Sequence, residues 1–107
     1  MSTEEKIMTM ISYAGAGRMK LIEAMRLAGD RKYEEGLQLV DESDKDIVKC
    51  HQAQTEILFQ NSSDPSAPGS NISVLLIHAM DQVMNTMSMR DLVYEMIHML
   101  ERREKHD

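Results

Sequence analysis

A histidine and an aspartate stand three residues apart in Leu75-Leu76-Ile77-His78-Ala79-Met80-Asp81-Gln82-Val83-Met84, an otherwise apolar stretch. Three residues is close to one turn of an α-helix, so both side chains project from the same face. Three kinds of chemistry suit such a pair. It could be a polar pair satisfied in an oligomer core. Imidazole and carboxylate could share a metal ion, although one chain supplies too few ligands here and a metal would need several subunits. Or the neutral imidazole could be a nucleophile, since it attacks phosphorus readily and the phosphoramidate keeps a high transfer potential. The carboxylate would then orient the ring or hold a cation. No Walker motif, kinase signature or nucleotide site accompanies the pair. Any phosphoryl group would therefore come from one phosphoprotein and go to another.

Other chemistry-bearing residues read more plainly. Met80, Met84 and Met87 share a face and raise a copper(I) reading, but that face lies opposite His78, and a methionine stripe at helical spacing is ordinarily core. Cys50 and His51 are neighbours that diverge on a helix, so they make no nucleophile–base pair, and Cys50 reads as a small packed residue. Ala14-Gly15-Ala16-Gly17 lacks the Gly-Lys-Ser/Thr of a phosphate loop and reads as a close helix–helix contact.

Three helical segments must position the pair. The first runs from about Thr3 to Ala28, with Ser2 or Thr3 as N-cap, Glu4 and Glu5 set against the helix dipole, and an expected inner stripe of Ile7, Ile11, Ala14, Ile22 and Met25. Gly29 suits a C-terminal cap and Asp30 an N-cap for the next segment. The second segment runs from about Lys32 to Gln60 with a stripe of Tyr33, Leu37, Val40, Ile47 and Leu58. Asp44, His51 and Gln54 fall on the same spacing, which reads as a face emerging from the core or lining a contact. Asn61 to Asn71, with its prolines, serines and Gly69, is the expected loop. The third segment, about Ile72 to Lys105, would span roughly 50 Å at about 1.5 Å per residue. One band on it, Leu76, Met80, Val83, Met87, Tyr94 and Ile97, is almost wholly apolar and packs on the other helices. A second band, Val74, Ile77, His78, Asp81, Asn85, Ser88, Leu92, Glu95 and Met99, is mixed and needs a partner of its own. Glu101 to Asp107 is a charged, solvated tail.

The chain of 107 residues is expected to form one domain over residues 1–107, and its 42% apolar and 28% charged content suits a globular protein. Eleven methionines stand in for scarce aromatics and lean the composition towards all-α. A net charge of −6 argues against nucleic acid or an anionic membrane surface as partner. No apolar run approaches the roughly 20 residues of a spanning helix, and the acidic N-terminus lacks a signal-peptide pattern. The single cysteine points to a reducing cytoplasm. Three long helices in so short a chain make a thin core with a large surface, and association would bury the leftover band.

At these residues the chain resembles the enzyme IIA component of the bacterial phosphotransferase system, lactose/cellobiose (chitobiose) class. The similarity runs from about Ile11 to Arg103 through Tyr13-Ala14-Gly15, Ala28-Gly29-Asp30, His51-Gln52-Ala53-Gln54-Thr55 and above all Ile77-His78-Ala79-Met80-Asp81. The resemblance implies three long antiparallel helices per subunit, three subunits forming a nine-helix bundle with the third helices around the axis. It implies that His78 accepts a phosphoryl group from phospho-HPr and passes it to a cysteine of the cognate enzyme IIB. The sugar is then phosphorylated as it enters through the membrane component, enzyme IIC. Asp81 matches the aspartate that each subunit contributes to a shared cation such as Mg2+ on the trimer axis, where three like charges would otherwise repel. Gln82, His51 and Gln54 are the expected supporting residues. The family usually reads His-Ala-Gln-Asp-His, so Met80 and Gln82 depart from it: Gln82 still donates a hydrogen bond but carries no charge, and Met80 loses a polar contact. The alternative is a non-catalytic helical adaptor or a metal-stabilised bundle.

Overall fold

The structure, a computed structural model, describes residues 1–63 and 73–106, with the backbone alone for residues 61–63. It consists of three helices, α1 (Thr3–Gly29), α2 (Tyr33–Ser63) and α3 (Val74–Lys105), in a rod of 62 × 19 × 18 Å. No strand occurs among the described residues.

Local chemistry fixes the helix ends. Ser2 closes a capping box at the start of α1: its hydroxyl accepts from the Glu5 N–H at 3.1 Å, and the Glu5 carboxylate accepts in return from the Ser2 N–H. At the other end Gly29 is still helical and Asp30 is the C-cap, so Asp30 terminates α1 instead of starting α2. The left-handed residue of the turn is Arg31, with φ 65°. The Lys32 N–H reaches back to the Leu27 carbonyl and the Arg31 N–H to that of Ala28, the paired bonds of a Schellman turn. The expected glycine cap is thus displaced by two residues onto an arginine. The α2 helix runs on to Ser63, into the first residues of the expected loop, because nothing before Pro65 breaks the helical pattern. The rest of that loop and Ile72 lie outside the described residues. Ser73 opens α3 by accepting from the Leu76 N–H at 3.0 Å.

The core has two apolar halves. In one, Ile7, Met10 and Ala14 of α1 meet Cys50, Ala53 and Ile57 of α2 and Leu76, Ala79 and Val83 of α3. In the other, Leu21, Ala24 and Ala28 meet Val40, Val93 and Ile97. Low numbers on α1 therefore sit beside high numbers on α2 and low numbers on α3, which gives an up-down-up bundle. Each fully buried Met, Leu or Ile contributes about 1.5–3 kcal/mol. Between the halves lies a polar layer. Lys20 Nζ pairs with Asp46 at 2.8 Å, the Thr86 hydroxyl donates to the Ala14 carbonyl at 3.1 Å, and the Ser43 hydroxyl donates to the Val40 carbonyl at 2.6 Å. Gly17 belongs to this layer, since a Cβ there would lie 3.3 Å from Thr86.

The inner faces differ from the expected stripes by a rotation of about one residue. The buried line of α1 is Ile7, Met10, Ala14, Gly17, Leu21, Ala24 and Ala28, and Ile11, Ile22 and Met25 sit only at its edge. On α2, Gly36, Ser43, Asp46, Cys50 and Ile57 are inside, while Leu58 is exposed. Small residues line these faces because the helices approach closely there: a Cβ on Gly36 would lie 2.9 Å from the Ala24 carbonyl oxygen. On α3 the apolar band is confirmed except for Tyr94, which lies on the surface against His98 and Arg90.

Candidate functional site

The site is built on the second turn of α3, just past the Ser73 cap. Leu76, Ala79 and Val83 are buried and hold this stretch against α1 and α2. The intervening residues consequently face outward, and His78 and Asp81 are both exposed. Neither makes a hydrogen bond, ion pair or ring contact with any described residue. Gln82, four residues after His78 on the same side, is half-buried. Around them stands an apolar rim: Val74 is 84% exposed, Leu75 41% and Ile77 50%. The imidazole is therefore carried on a rigid helix, open to solvent, with no competitor for its ring nitrogens among the described residues.

His51 and Gln54 are not brought to this place within one chain. The Nε2 of His51 lies 3.1 Å from the sulfur of Met87. Met87 is nine residues beyond His78, which on a helix is half a turn round and about 13 Å along. Gln54 has its Oε1 buried without a hydrogen-bond partner. The polar stretch of α2 does not simply emerge from the core, because it packs along α3: Asp44 accepts two hydrogen bonds from Arg90, at 2.8 and 3.1 Å. This pair raises the Arg90 pKa further and secures its charge. The sequence held no signal for it, since it depends on the α2–α3 register. Cys50 is packed as expected, its thiol donating to the Met10 carbonyl at 3.4 Å, and burial pushes its pKa up to about 11.

His98 is held by Glu101 at 3.8 Å and by the edge of Tyr94, ring centroids 4.5 Å apart. Among the described residues no group of three or more His, Cys, Asp or Glu side chains converges as a metal site. Asp81 is an exposed carboxylate, with no hydrogen bond or ion pair to any described residue, that one chain supplies singly.

A helical hairpin extended by a third long helix, with an unengaged histidine presented from the third, defines a class of carrier subunit. The chain belongs to the family described as PTS system, lactose/cellobiose specific IIA subunit, whose model matches residues 5–101. It is similar to the lactose-specific EIIA component of Staphylococcus epidermidis, 37% identical over 90 residues and covering 82% of each chain. The crystal structure of the cellobiose-specific enzyme IIA from Bacillus anthracis superposes with a TM-score of 0.87 at 29% identity, over 100% of this chain and 95% of that one. The IIA(chitobiose) of Escherichia coli, solved in its complex with HPr, shares the fold with a TM-score of 0.81 at 24% identity, over 97% and 98% of the two chains. No helix among the described residues is long and apolar enough to cross a membrane.

Proposed function

We propose that this IIA subunit carries a phosphoryl group on His78 between two proteins of a sugar phosphotransferase system. The observation that carries the reading is the bare, exposed imidazole at the family's His-Ala-x-Asp sequence. A lone pair of the neutral ring attacks the phosphorus of phospho-HPr, forming a new N–P bond as the N–P bond to the donor histidine breaks. The donor ring, protonated on its other nitrogen, leaves as a neutral imidazole, and His78 becomes the N-protonated phosphoimidazole in its place, so no separate acid is required. In the second step a thiolate of enzyme IIB attacks the same phosphorus and His78 departs unchanged. HPr as donor is supported by the chitobiose relative solved with it. The exposed Leu75 and Ile77 beside His78 give the two partners a common, desolvatable docking surface. The sugar, entering through enzyme IIC, would be of the lactose, cellobiose or chitobiose type, and the carrier would work in the cytoplasm.

The working unit is a trimer in this reading. His78, Asn85, Leu92 and Met99 repeat every seven residues, as do Val74, Asp81, Ser88 and Glu95, and all eight are exposed. A band with a 3.5-residue period is what helices need to pack along a shared axis. Leu92 at 64% exposed and Met99 at 48% supply its apolar part. Three Asp81 carboxylates on that axis would hold a divalent cation such as Mg2+, whose contribution is to neutralise their repulsion.

The test is phosphorylation with phosphoenolpyruvate, enzyme I and HPr. The chain should gain one acid-labile, base-stable phosphoryl group, and His78→Ala should gain none. Labelling that persisted in the variant would transfer the role to another histidine and sink the proposal.

A further inference from the structure

We propose that His51, Met87 and Met84 form a binding site for copper(I), a soft monovalent ion. Met80 and Met87 alone would be core packing, but α2 places an imidazole against Met87. His51 Nε2 and Met87 Sδ converge at 3.1 Å in a partly buried setting. A thioether is only a weak hydrogen-bond acceptor, so this imidazole has no strong partner for the nitrogen it aims inward. Imidazole with thioether is a donor set that suits copper(I) and offers little to Mg2+ or Ca2+. Met84 lies three residues before Met87, on the same side of α3, and is 56% exposed, so its flexible side chain is free to swing in as a third ligand.

Two further features favour a cation there. Gln54 lies one turn beyond His51 on α2. Its Oε1 is buried with no hydrogen-bond partner, so the negative end of the amide dipole is uncompensated. A surface depression of ≈ 420 Å³, lined by Val48, His51, Gln52, Thr55 and Glu56, opens the ring to solvent. The site lies across α3 from His78 and does not rest on phosphoryl transfer.

Silver(I) is the probe, because it shares the ligand preference of copper(I) and does not change oxidation state. Titration of the full-length chain, followed by NMR of the methionine methyl groups and histidine rings, should saturate at one ion per chain. The Met87 methyl and the His51 ring should shift together, with Met84 following. Met87→Leu, which preserves volume, should weaken binding by roughly tenfold or more. His51→Ala should do the same, and His78→Ala should leave the affinity unchanged. An absence of saturable binding, an affinity untouched by Met87→Leu, or shifts confined to exposed Met8, Met19 or His78 would overturn the site.

Discussion

The two flanks of α3 carry similar side chains in opposite circumstances. On the flank towards α2, His51 meets Met87 and Arg90 grips Asp44 with two hydrogen bonds. On the outward flank, the side chains of His78 and Asp81 make no hydrogen bond, ion pair or ring contact with any described residue. Polar groups engaged by their own fold contribute to its stability. Those left bare on a rigid helix are available to something else. One histidine of each kind makes the contrast experimental. His78→Ala should abolish phosphoryl acceptance entirely and move the folding stability by no more than about 0.5 kcal/mol. His51→Ala should do the reverse, keeping acceptance and losing about 1 kcal/mol from its half-buried contacts. Phosphorylation assays and chemical denaturation of both variants check this. A His51→Ala chain that folds normally but accepts no phosphoryl group would break the division between the flanks.

The next effect concerns the polar layer at the middle of the bundle. Asp46 is buried and Lys20, a third exposed, is its ion-pair partner at 2.8 Å. Lys20→Met would leave the carboxylate desolvated and unpaired, and should cost about 2 kcal/mol of unfolding free energy. Asp46→Asn should cost less, because the lysine can still reach water. Equal losses in denaturant titrations would mean that the charge is not what matters there. Either variant should leave phosphorylation of His78 intact.

Cys50 gives a pH signature from the same buried interior. Its thiol pKa rises from 9.0 to about 11 through burial, with the nearby Asp46 charge adding to the effect. The folded state therefore holds the proton more tightly than the unfolded chain. This contribution is fully present below pH 9 and is lost as pH rises through the window up to about 11. Its full size is on the order of 2 kcal/mol. Cys50→Ser should flatten the fall in stability across that window relative to the parent chain, measured in the same buffers.

What could be read from the sequence follows the same contrast. The number, type and approximate ends of the helices were legible, because Leu, Ile, Val and Met recur at helical spacing on each segment. His78 and Asp81 were legible because polar residues stand out in an apolar run. The rotation of the inner faces was not. Side-chain size points to Ile11, Ile22 and Met25, yet the closest helix contacts fall on Ala14, Gly17, Ala24 and Ala28, where a small residue lets two backbones approach. The environment of His51 was equally hidden, since only the register of α2 against α3 decides whether it meets Met87 or water.

The smallest predicted effect separates two glycines that look alike in the sequence. A Cβ on Gly15 would meet nothing within 4 Å, whereas one on Gly36 would press on the Ala24 carbonyl oxygen at 2.9 Å and on Ile97 at 3.3 Å. Neither is in a left-handed conformation, so alanine is permitted by the backbone at both, and it gains about 0.5–1 kcal/mol from helix propensity. At Gly15 that gain stands alone, and Gly15→Ala should stabilise the chain by this amount. At Gly36 the helices must part or bend, at a cost of about 1–3 kcal/mol, so the net change should be destabilising. Denaturant midpoints at low protein concentration measure the sign at each position. Sedimentation of Gly15→Ala then adds a second reading: a chain more stable alone but weaker in self-association would mean that the open side of α1, like the bare face of α3, is reserved for another copy.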